Sequence, residues 1–248
     1  MKVAVVTGAS SGIGLATARL LAARGWRQIL VARRAERLEA LAAELPQAVP
    51  LALDLTAGDA PGRVREAVER EGALHLLVNN AGAGMRAPFA ESGYETVRRL
   101  MEVNFDAIVR LTEVLLPLLR ESAPSSIVNV GSVAGRVGRP KVSAYAASKF
   151  ALAGWSEALH YEEAPNGVHV GLVMPGFVAT EGFPQTHLVR SPRTRWMVST
   201  PEKVARAILG AGPGGRAEVH VPRPWALVPR ARFLAPGLVR RVVRRGRL

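Results

Sequence analysis

Short, nearly continuous apolar runs alternate along this chain with longer segments in which apolar residues recur at helical spacing. Seven runs have the length of strands, at residues 3–6, 28–32, 49–53, 74–78, 126–130, 168–173 and 218–221. Helical segments separate them, at residues 15–24, 35–45, 62–71, 94–119, 143–163 and 201–209. This alternation predicts βαβ units and a parallel sheet that helices cover on both faces. We therefore expect an α/β fold, in which one domain holds a doubly wound parallel sheet of about seven strands.

Two features depart from the regular pattern. Pro117 lies near the end of the fourth helical segment, where we expect it to end or kink the helix. Residues 177–199 show little periodicity, and a long segment of this kind inside a compact domain is typical of a substrate loop or lid. We predict one domain over residues 1–222, including this loop, and a basic tail at 223–248 with a helix that starts at Pro236.

A glycine-rich turn, TGASSGIG, joins the first predicted strand to the first helix at residues 7–14. Its glycines permit a tight turn and a close approach of the backbone, and the helix N-terminus offers free N–H groups to a pyrophosphate. A plain glycine turn is the alternative, but the place in the first βα turn favours a Rossmann-type dinucleotide site. The candidate binding residues of the turn are Gly8, Ser10, Ser11, Gly12, Ile13 and Gly14.

The end of the second predicted strand indicates which dinucleotide is bound. NAD-binding sites of this type carry an acidic residue there, whose carboxylate binds the ribose 2′-hydroxyl. This chain has Arg33 and Arg34 instead, and two guanidinium groups suit a 2′-phosphate. A solvated helix start is the alternative, although positive charge there opposes the helix dipole. We expect NADP (NADPH) as the cofactor rather than NAD.

Composition excludes several other chemistries. The 248 residues are 48% hydrophobic, which suits one large core, and the lack of cysteine excludes disulfides, thiolate metal sites and a cysteine nucleophile. The five histidines show no metal-binding spacing, so we expect no metal. No apolar run reaches the length of about 18 residues that a spanning helix needs. We expect a cytoplasmic protein.

The net charge of +13 is largely a property of the C-terminal end. Residues 219–248 hold eight arginines and no acidic residue, and apolar Leu234, Leu238 and Val242 recur there at steps of four. The simplest interpretation is a short basic amphipathic helix that packs on its own subunit or a neighbour. A weak peripheral contact with anionic lipid is the second interpretation. Nucleic acid is disfavoured because no binding motif accompanies the charge.

Three side chains with complementary chemistry lie between residues 131 and 150. Ser132 follows the fifth predicted strand, while Tyr145 and Lys149 are four residues apart in the next helix and so share a face. A cation beside a phenol lowers the pKa of the phenol, which would let Tyr145 exchange a proton near neutral pH. Taken alone, this spacing also fits a surface pair on an amphipathic helix.

Several motifs in register resemble the short-chain dehydrogenase/reductase family over about residues 2–221. They are TGASSGIG, Asp54-Leu55 after the third strand, NNAG at 79–82, Asn104, Ser132, YAASK at 145–149 and PGFVAT at 175–180. The resemblance implies that Asp54 and Leu55 contact the adenine and that Asn80, Ala81 and Gly82 lie along the cofactor. It also implies that Pro175, Gly176, Val178 and Thr180 approach the nicotinamide, and that Tyr145 and Lys149 contact the cofactor as well.

The resemblance further implies a catalytic set of Asn104, Ser132, Tyr145 and Lys149. Ser132 would donate a hydrogen bond to the substrate carbonyl, and Tyr145 would act as general acid or base. Lys149 would lower the pKa of Tyr145 and bind the nicotinamide ribose. Asn104 would sit in the long helix and hold a water of the proton relay.

We therefore expect an NADP-dependent oxidoreductase that interconverts a carbonyl and an alcohol on a small, apolar substrate. The family implies a homodimer or homotetramer. Two alternatives remain open. One is a cofactor-binding regulatory or interaction protein on the same fold, because fold does not fix function. The other is a membrane-surface lipid carbonyl reductase, which depends on the tail alone.

Overall fold

A computed structural model describes residues 1–181, 185–190 and 194–244, and it confirms the doubly wound α/β fold. The strands are β1 (Val3–Thr7), β2 (Arg27–Ala32), β3 (Ala48–Ala52), β4 (Leu76–Asn79), β5 (Ser125–Val130), β6 (Val168–Pro175), β7 (Phe177–Val178), β8 (Val198–Ser199) and β9 (Glu218–Val221). Seven of them form one sheet in the order β3-β2-β1-β4-β5-β6-β9, with every neighbouring pair parallel.

Helices cover both faces of this sheet. They are α1 (Gly12–Ala22), α2 (Ala35–Glu44), α3 (Ala60–Glu71), α4 (Phe89–Met101), α5 (Ala107–Glu121), α6 (Ser143–Glu163), α7 (Thr186–Arg190), α8 (Pro201–Ala211), α9 (Leu227–Leu234) and α10 (Pro236–Arg244). Buried side chains of α1, α2 and α8 pack on one face, and those of α3, α5 and α6 on the other. Val5 and Val6 of β1 point to opposite faces, and both are fully buried. Burial on both faces explains why the strands are apolar throughout.

The predicted long helix at 94–119 is instead two helices joined by a π-helical turn. The first helix starts earlier, at Phe89, and the turn spans Glu102–Asp106. The second helix continues through Pro117 to Glu121 rather than ending at the proline. Pro117 and Glu113, whose carbonyl lies one turn earlier, are both exposed, so water can replace the hydrogen bond that the proline cannot make.

The predicted substrate loop has more regular structure than its weak periodicity suggests. Strands β7 and β8 pair with each other near its two ends, and α7 and a 3₁₀ turn at Arg195–Met197 lie between them. Residues 182–184 and 191–193 of this loop lie outside the described residues.

The basic tail forms a 3₁₀ turn at Arg223–Ala226 and the helices α9 and α10, the second of which starts at Pro236 as expected. Residues 245–248 lie outside the described residues. Within the described ranges, no helix is both long and apolar enough to cross a membrane. In the same ranges, no cluster of three or more His, Asp or Glu side chains could hold a metal ion.

Candidate active site

A cavity of about 370 Å³ opens at the carboxyl ends of the central strands. Loops that follow neighbouring parallel strands meet at this edge of a doubly wound sheet, which is where such folds bind ligands. The cavity brings together residues from six of the seven predicted motifs. The predicted site residues that line it are Ile13, Asn80, Gly82, Asn104, Ser132, Tyr145, Lys149, Pro175, Gly176, Val178 and Thr180.

The glycine turn beside this cavity has a backbone conformation that residues with larger side chains could not adopt. Gly8 has a φ of +66°, and a Cβ on Gly14 would lie 2.2 Å from the carbonyl oxygen of Gly8. Ser11, the residue before helix α1, makes no side-chain capping hydrogen bond. The N–H groups of the first helical turn are therefore free to bind an anion such as a pyrophosphate.

Thr7, which the sequence analysis did not single out, fastens the turn to strand β4. Its hydroxyl donates to the carbonyl of Val78 (3.1 Å) and accepts from the backbone N–H groups of Asn80 (2.9 Å) and Ala81 (3.0 Å). The side-chain amide of Asn80 donates in return to the carbonyl of Thr7 (2.9 Å). A polar residue at the end of an otherwise apolar strand was the only signal for Thr7 in the sequence.

The guanidinium groups of Arg33 and Arg34 follow strand β2, and that of Arg34 contacts the glycine turn. Arg34 donates to the hydroxyls of Ser10 (3.0 Å) and Ser11 (2.7 Å). Arg33 is exposed, with its Nη1 atom 4.0 Å from Oδ2 of Asp54. The carboxylate of Asp54 also accepts hydrogen bonds from the backbone and hydroxyl of Thr56, which lower the pKa of Asp54. This arrangement can hold a phosphate between two cations and two hydroxyls.

Asn104 lies in the π-helical turn and is completely buried. Its side-chain oxygen accepts from the N–H of Ala83 (2.8 Å), and its amide donates to the carbonyl of Ala83 (2.9 Å) and the hydroxyl of Ser148 (3.0 Å). The side chain thereby joins the loop after β4 to helix α6. Its role in a proton relay remains a prediction.

Ser132 and Tyr145 are held on adjoining elements by a close backbone contact. Ser132 lies two residues after the end of strand β5, and its hydroxyl accepts from the N–H of Ala134 (3.1 Å) at the start of a 3₁₀ turn, Val133–Gly135. A Cβ on Gly135 would lie 2.5 Å from the carbonyl oxygen of Lys149. Gly135 therefore lets the turn pack directly on the backbone of α6. The sequence analysis missed this glycine because it belongs to no recognised motif.

The expected lowering of the Tyr145 pKa by Lys149 is not observed in the structure. Burial raises the pKa of Tyr145, opposed by a hydrogen bond from Ser132 and the charge of Arg139, and Lys149 is not among the groups that lower it. Burial also lowers the pKa of Lys149 to about 8. The Nζ atom of Lys149 instead donates to the carbonyl oxygen of Val130 (2.9 Å). The prediction that Lys149 lowers the pKa of Tyr145 was therefore wrong here, because desolvation is the larger effect.

The tail supplies part of the cavity wall. Trp225 packs so closely on Gly176 that a Cβ there would lie 2.3 Å from its indole nitrogen. The indole N–H donates to the carbonyl of Met197 (3.0 Å), and the ring meets Phe177 edge-on at 5.6 Å. Val228 of α9 also lines the cavity. Sequence reasoning missed both residues, because a single tryptophan among prolines and arginines forms no pattern.

Together, the fold, the glycine turn and the Ser132, Tyr145 and Lys149 cavity define an oxidoreductase of the doubly wound, nucleotide-binding class. The family model for short chain dehydrogenases matches residues 2–187. The chain belongs to the short-chain dehydrogenase/reductase family and is a dehydrogenase/reductase.

The chain is also similar to individual proteins and solved structures. The ketoacyl reductase HetN of Nostoc sp. is 32% identical over 225 residues, which cover 89% of this chain and 78% of that protein. A short-chain dehydrogenase structure from Streptomyces avermitilis has a TM-score of 0.83 at 32% identity, covering 99% of this chain and 98% of that one. A variant of the actinorhodin polyketide ketoreductase, solved with NADPH, has a TM-score of 0.81 at 30% identity, covering 90% and 97%.

Proposed function

We propose that this protein is an NADPH-dependent reductase that converts a ketone or aldehyde group to an alcohol and can catalyse the reverse reaction. The observation that carries the proposal is the meeting of Ser132, Tyr145 and Lys149 on one cavity that adjoins the glycine turn. The relatives support a carbonyl substrate, since two of those described above are named as a ketoacyl reductase and a polyketide ketoreductase.

The residues present fit a nicotinamide dinucleotide. The uncapped first turn of α1 and the close approach at Gly14 suit its pyrophosphate. Asn80, Gly82 and Thr180 border the cavity on the way to the catalytic residues. When bound, the nicotinamide supplies the hydride. Arg33 and Arg34, with the hydroxyls of Ser10 and Ser11, supply the positive charge and donors that favour NADP over NAD.

Each catalytic side chain has a separate task. Ser132 donates a hydrogen bond to the substrate carbonyl oxygen, where negative charge develops during reduction. Tyr145 donates its proton to that oxygen as a general acid. The phenol is protonated at neutral pH, which is the form that reduction requires. Lys149, one helical turn away, binds the ribose hydroxyls with its ammonium group.

The cavity walls indicate an apolar substrate body. Val137 and Val142 line it from the loop before α6, and Phe177 and Trp225 line it from β7 and the tail. Such walls bury the carbon skeleton of a substrate and leave its carbonyl facing Ser132 and Tyr145. The homo-oligomer and the cytoplasmic location expected from the sequence remain predictions.

A substrate panel tests the proposal. Purified protein is mixed with NADPH and a series of ketones, aldehydes and 3-oxoacyl thioesters, and the loss of NADPH absorbance is followed. We expect turnover of at least one class, which Tyr145→Phe abolishes. NADPH binding without turnover of any substrate would favour the alternative, a cofactor-binding regulatory or interaction protein.

A second candidate, a reductase that works at a membrane surface, is favoured by the tail. Phe233, Leu234 and Leu238 are 88%, 81% and 61% exposed, whereas Val239 is buried. These apolar side chains stand among arginines of α9 and α10, a composition typical of helices that bind anionic lipid. If two copies associated through this surface around a two-fold axis, the arginines of one copy would lie opposite those of the other. Their repulsion would disfavour such a contact. Sedimentation with anionic vesicles tests this candidate.

A further inference from the structure

Two arginines line the cavity from neighbouring loops. Arg86 lies between β4 and α4, and Arg139 lies between β5 and α6. Strands β4 and β5 are adjacent and parallel, so their carboxyl-end loops flank the same opening. Within the described residues, neither guanidinium forms an ion pair or a hydrogen bond with another group.

Two other partly buried arginines are paired with carboxylates, Arg27 with Glu71 and Arg136 with Glu218 (2.6 Å). Partly buried Arg110 has no carboxylate partner among the described residues, but it donates to the carbonyl of Thr56 (3.5 Å). Arg139 is also partly buried, but among the described residues its guanidinium contacts an aromatic ring and no carboxylate. The guanidinium lies 5.1 Å from the ring centroid of Phe177. A charge that is withdrawn from water and unpaired costs free energy.

The two charges also act on one another and on the catalytic tyrosine. Burial lowers the pKa of Arg139, and the nearby charge of Arg86 lowers it further. The charge of Arg139 in turn favours the ionised form of Tyr145. Like charges this close repel, and an anion bound between them would remove the repulsion and satisfy their N–H donors.

We propose that Arg139 and Arg86 form an anion-binding subsite for the substrate, so that the preferred substrate has an apolar body and an oxyanion group in addition to its carbonyl. The inference rests on the proposed carbonyl reduction at Tyr145. The valines, Phe177 and Trp225 hold the apolar part, while the arginines hold the anion. A carboxylate of a keto acid and a phosphate of an acyl thioester carrier share this chemistry.

Binding measurements test the subsite without requiring turnover. Protein saturated with NADP⁺, which cannot reduce a ketone, is titrated by calorimetry with 4-benzoylbutyrate and with its uncharged methyl ester. A second pair, acetoacetyl-CoA and the N-acetylcysteamine thioester of acetoacetate, replaces the carboxylate by phosphate. We expect the charged member of at least one pair to bind about 10- to 100-fold more tightly than the neutral member.

Substitutions test whether Arg139 and Arg86 cause the preference for the charged ligand. Arg139→Met keeps much of the apolar stem and removes the charge, and Arg86→Met does the same at an exposed position where folding is not at risk. Each should remove most of the preference for the charged ligand and leave the neutral ligand unchanged. Arg98→Met, at an exposed position on α4 outside the cavity lining, is the matched control and should change neither.

The outcomes separate the two proposals. Equal binding of charged and neutral ligands in both pairs, or an equal loss of both in Arg139→Met and Arg86→Met, would overturn the subsite. In that case Arg139 would serve only to pack on Phe177. The pair in which the charged ligand binds more tightly than the neutral one identifies the anion as a carboxylate or a phosphate. Failure of NADPH to reduce any of the four ketones, with the charge preference intact, would instead count against the reductase function.

Discussion

The ammonium group of Lys149 donates a hydrogen bond to the carbonyl oxygen of Val130 across 2.9 Å. This bond joins helix α6 to the end of strand β5 at the floor of the cavity. Lys149 is 5% exposed and has no acidic partner among the described residues, where its ammonium group donates to this one carbonyl. Such an arrangement lowers stability in return for a cation positioned at the site.

Lys149→Met should therefore stabilise the ligand-free protein at pH 7. Lowering the pKa of Lys149 from 10.5 to about 8 corresponds to a cost of about 3 kcal/mol, and the lost hydrogen bond offsets about 1 kcal/mol of the gain. We expect the free energy of unfolding to rise by about 2 kcal/mol in urea denaturation. Lys203→Met, at an exposed position of α8, should show no comparable gain.

The gain from Lys149→Met should depend on pH in one direction. Below pH 8 the lysine is protonated in both the folded and the unfolded protein, so the penalty is complete. Between about pH 8 and 10.5 the unfolded state binds more protons, and wild-type stability rises relative to the variant. The difference between the two proteins should shrink across this window. A difference that grows with pH would contradict the buried-cation account.

Tyr145→Phe should separate chemistry from binding. The substitution removes the proton donor but keeps the ring, so we expect the kcat of reduction to fall by about 10²- to 10⁴-fold. The Kd for NADPH, measured by fluorescence titration, should change little. Ser132→Ala should lower kcat as well, because it removes the hydrogen bond to the developing alkoxide. Retained turnover in Tyr145→Phe would exclude Tyr145 as the general acid.

Replacing Arg33 and Arg34 together by alanine should weaken the binding of NADPH and leave the binding of NADH unchanged. Each guanidinium can make a charge-assisted hydrogen bond to a 2′-phosphate, so the Kd for NADPH should rise about 10- to 100-fold. Arg24→Ala removes an exposed charge at the far end of α1 and serves as the control. Wild-type protein that binds NADH as tightly as NADPH would refute the predicted preference.

Gly135→Ala should damage the site although Gly135 contacts no substrate. The new Cβ would lie 2.5 Å from the carbonyl oxygen of Lys149, so the 3₁₀ turn and α6 would have to separate. We expect a loss of about 1–3 kcal/mol in stability and a lower kcat from displacement of Ser132 relative to Tyr145. Gly138→Ala, three residues along the same loop, has open space around its new Cβ and should be nearly neutral. Equal behaviour of the two variants would refute the packing explanation.

The tail offers a test with vesicles. Wild-type protein should sediment with anionic vesicles at low salt and be released at high salt, because arginine–lipid attraction is screened. Phe233→Ser with Leu234→Ser removes two exposed apolar side chains and leaves every arginine in place. The double variant should bind the vesicles less tightly than wild type. No sedimentation of wild type at low salt would dismiss the membrane-surface candidate.

Elements whose pattern is local were predictable from the sequence. The predicted central strands differ from the observed ones by one or two residues, because continuous apolar runs mark strands buried on both faces. The glycine turn was equally readable, since its conformation depends on its own residues. The π-helical turn around Asn104 was not predictable, because the side chain of Asn104 bonds to Ala83 and Ser148, which lie in separate segments of the chain.

Relations between distant residues were the least predictable. The fit of Trp225 on Gly176, and the presence of Arg86 and Arg139 in the lining of one cavity, depend on which loops the sheet order places side by side. The pKa of Tyr145 was predicted in the wrong direction for a similar reason. The spacing of Tyr145 and Lys149 shows that they share a helix face, but burial and the bond to Val130 decide their electrostatics.

The position of Trp225 connects the cavity to the outer surface of the protein. Trp225 and Val228 line the cavity, and the exposed Phe233 and Leu234 follow within the same helical segment. A lipid surface or partner that displaced α9 would also move one wall of the cavity. Occupancy of the cavity and attachment at the tail would then be thermodynamically linked, each changing the affinity of the other by the same factor. Substrate would in that case influence where the enzyme resides, as well as the reverse.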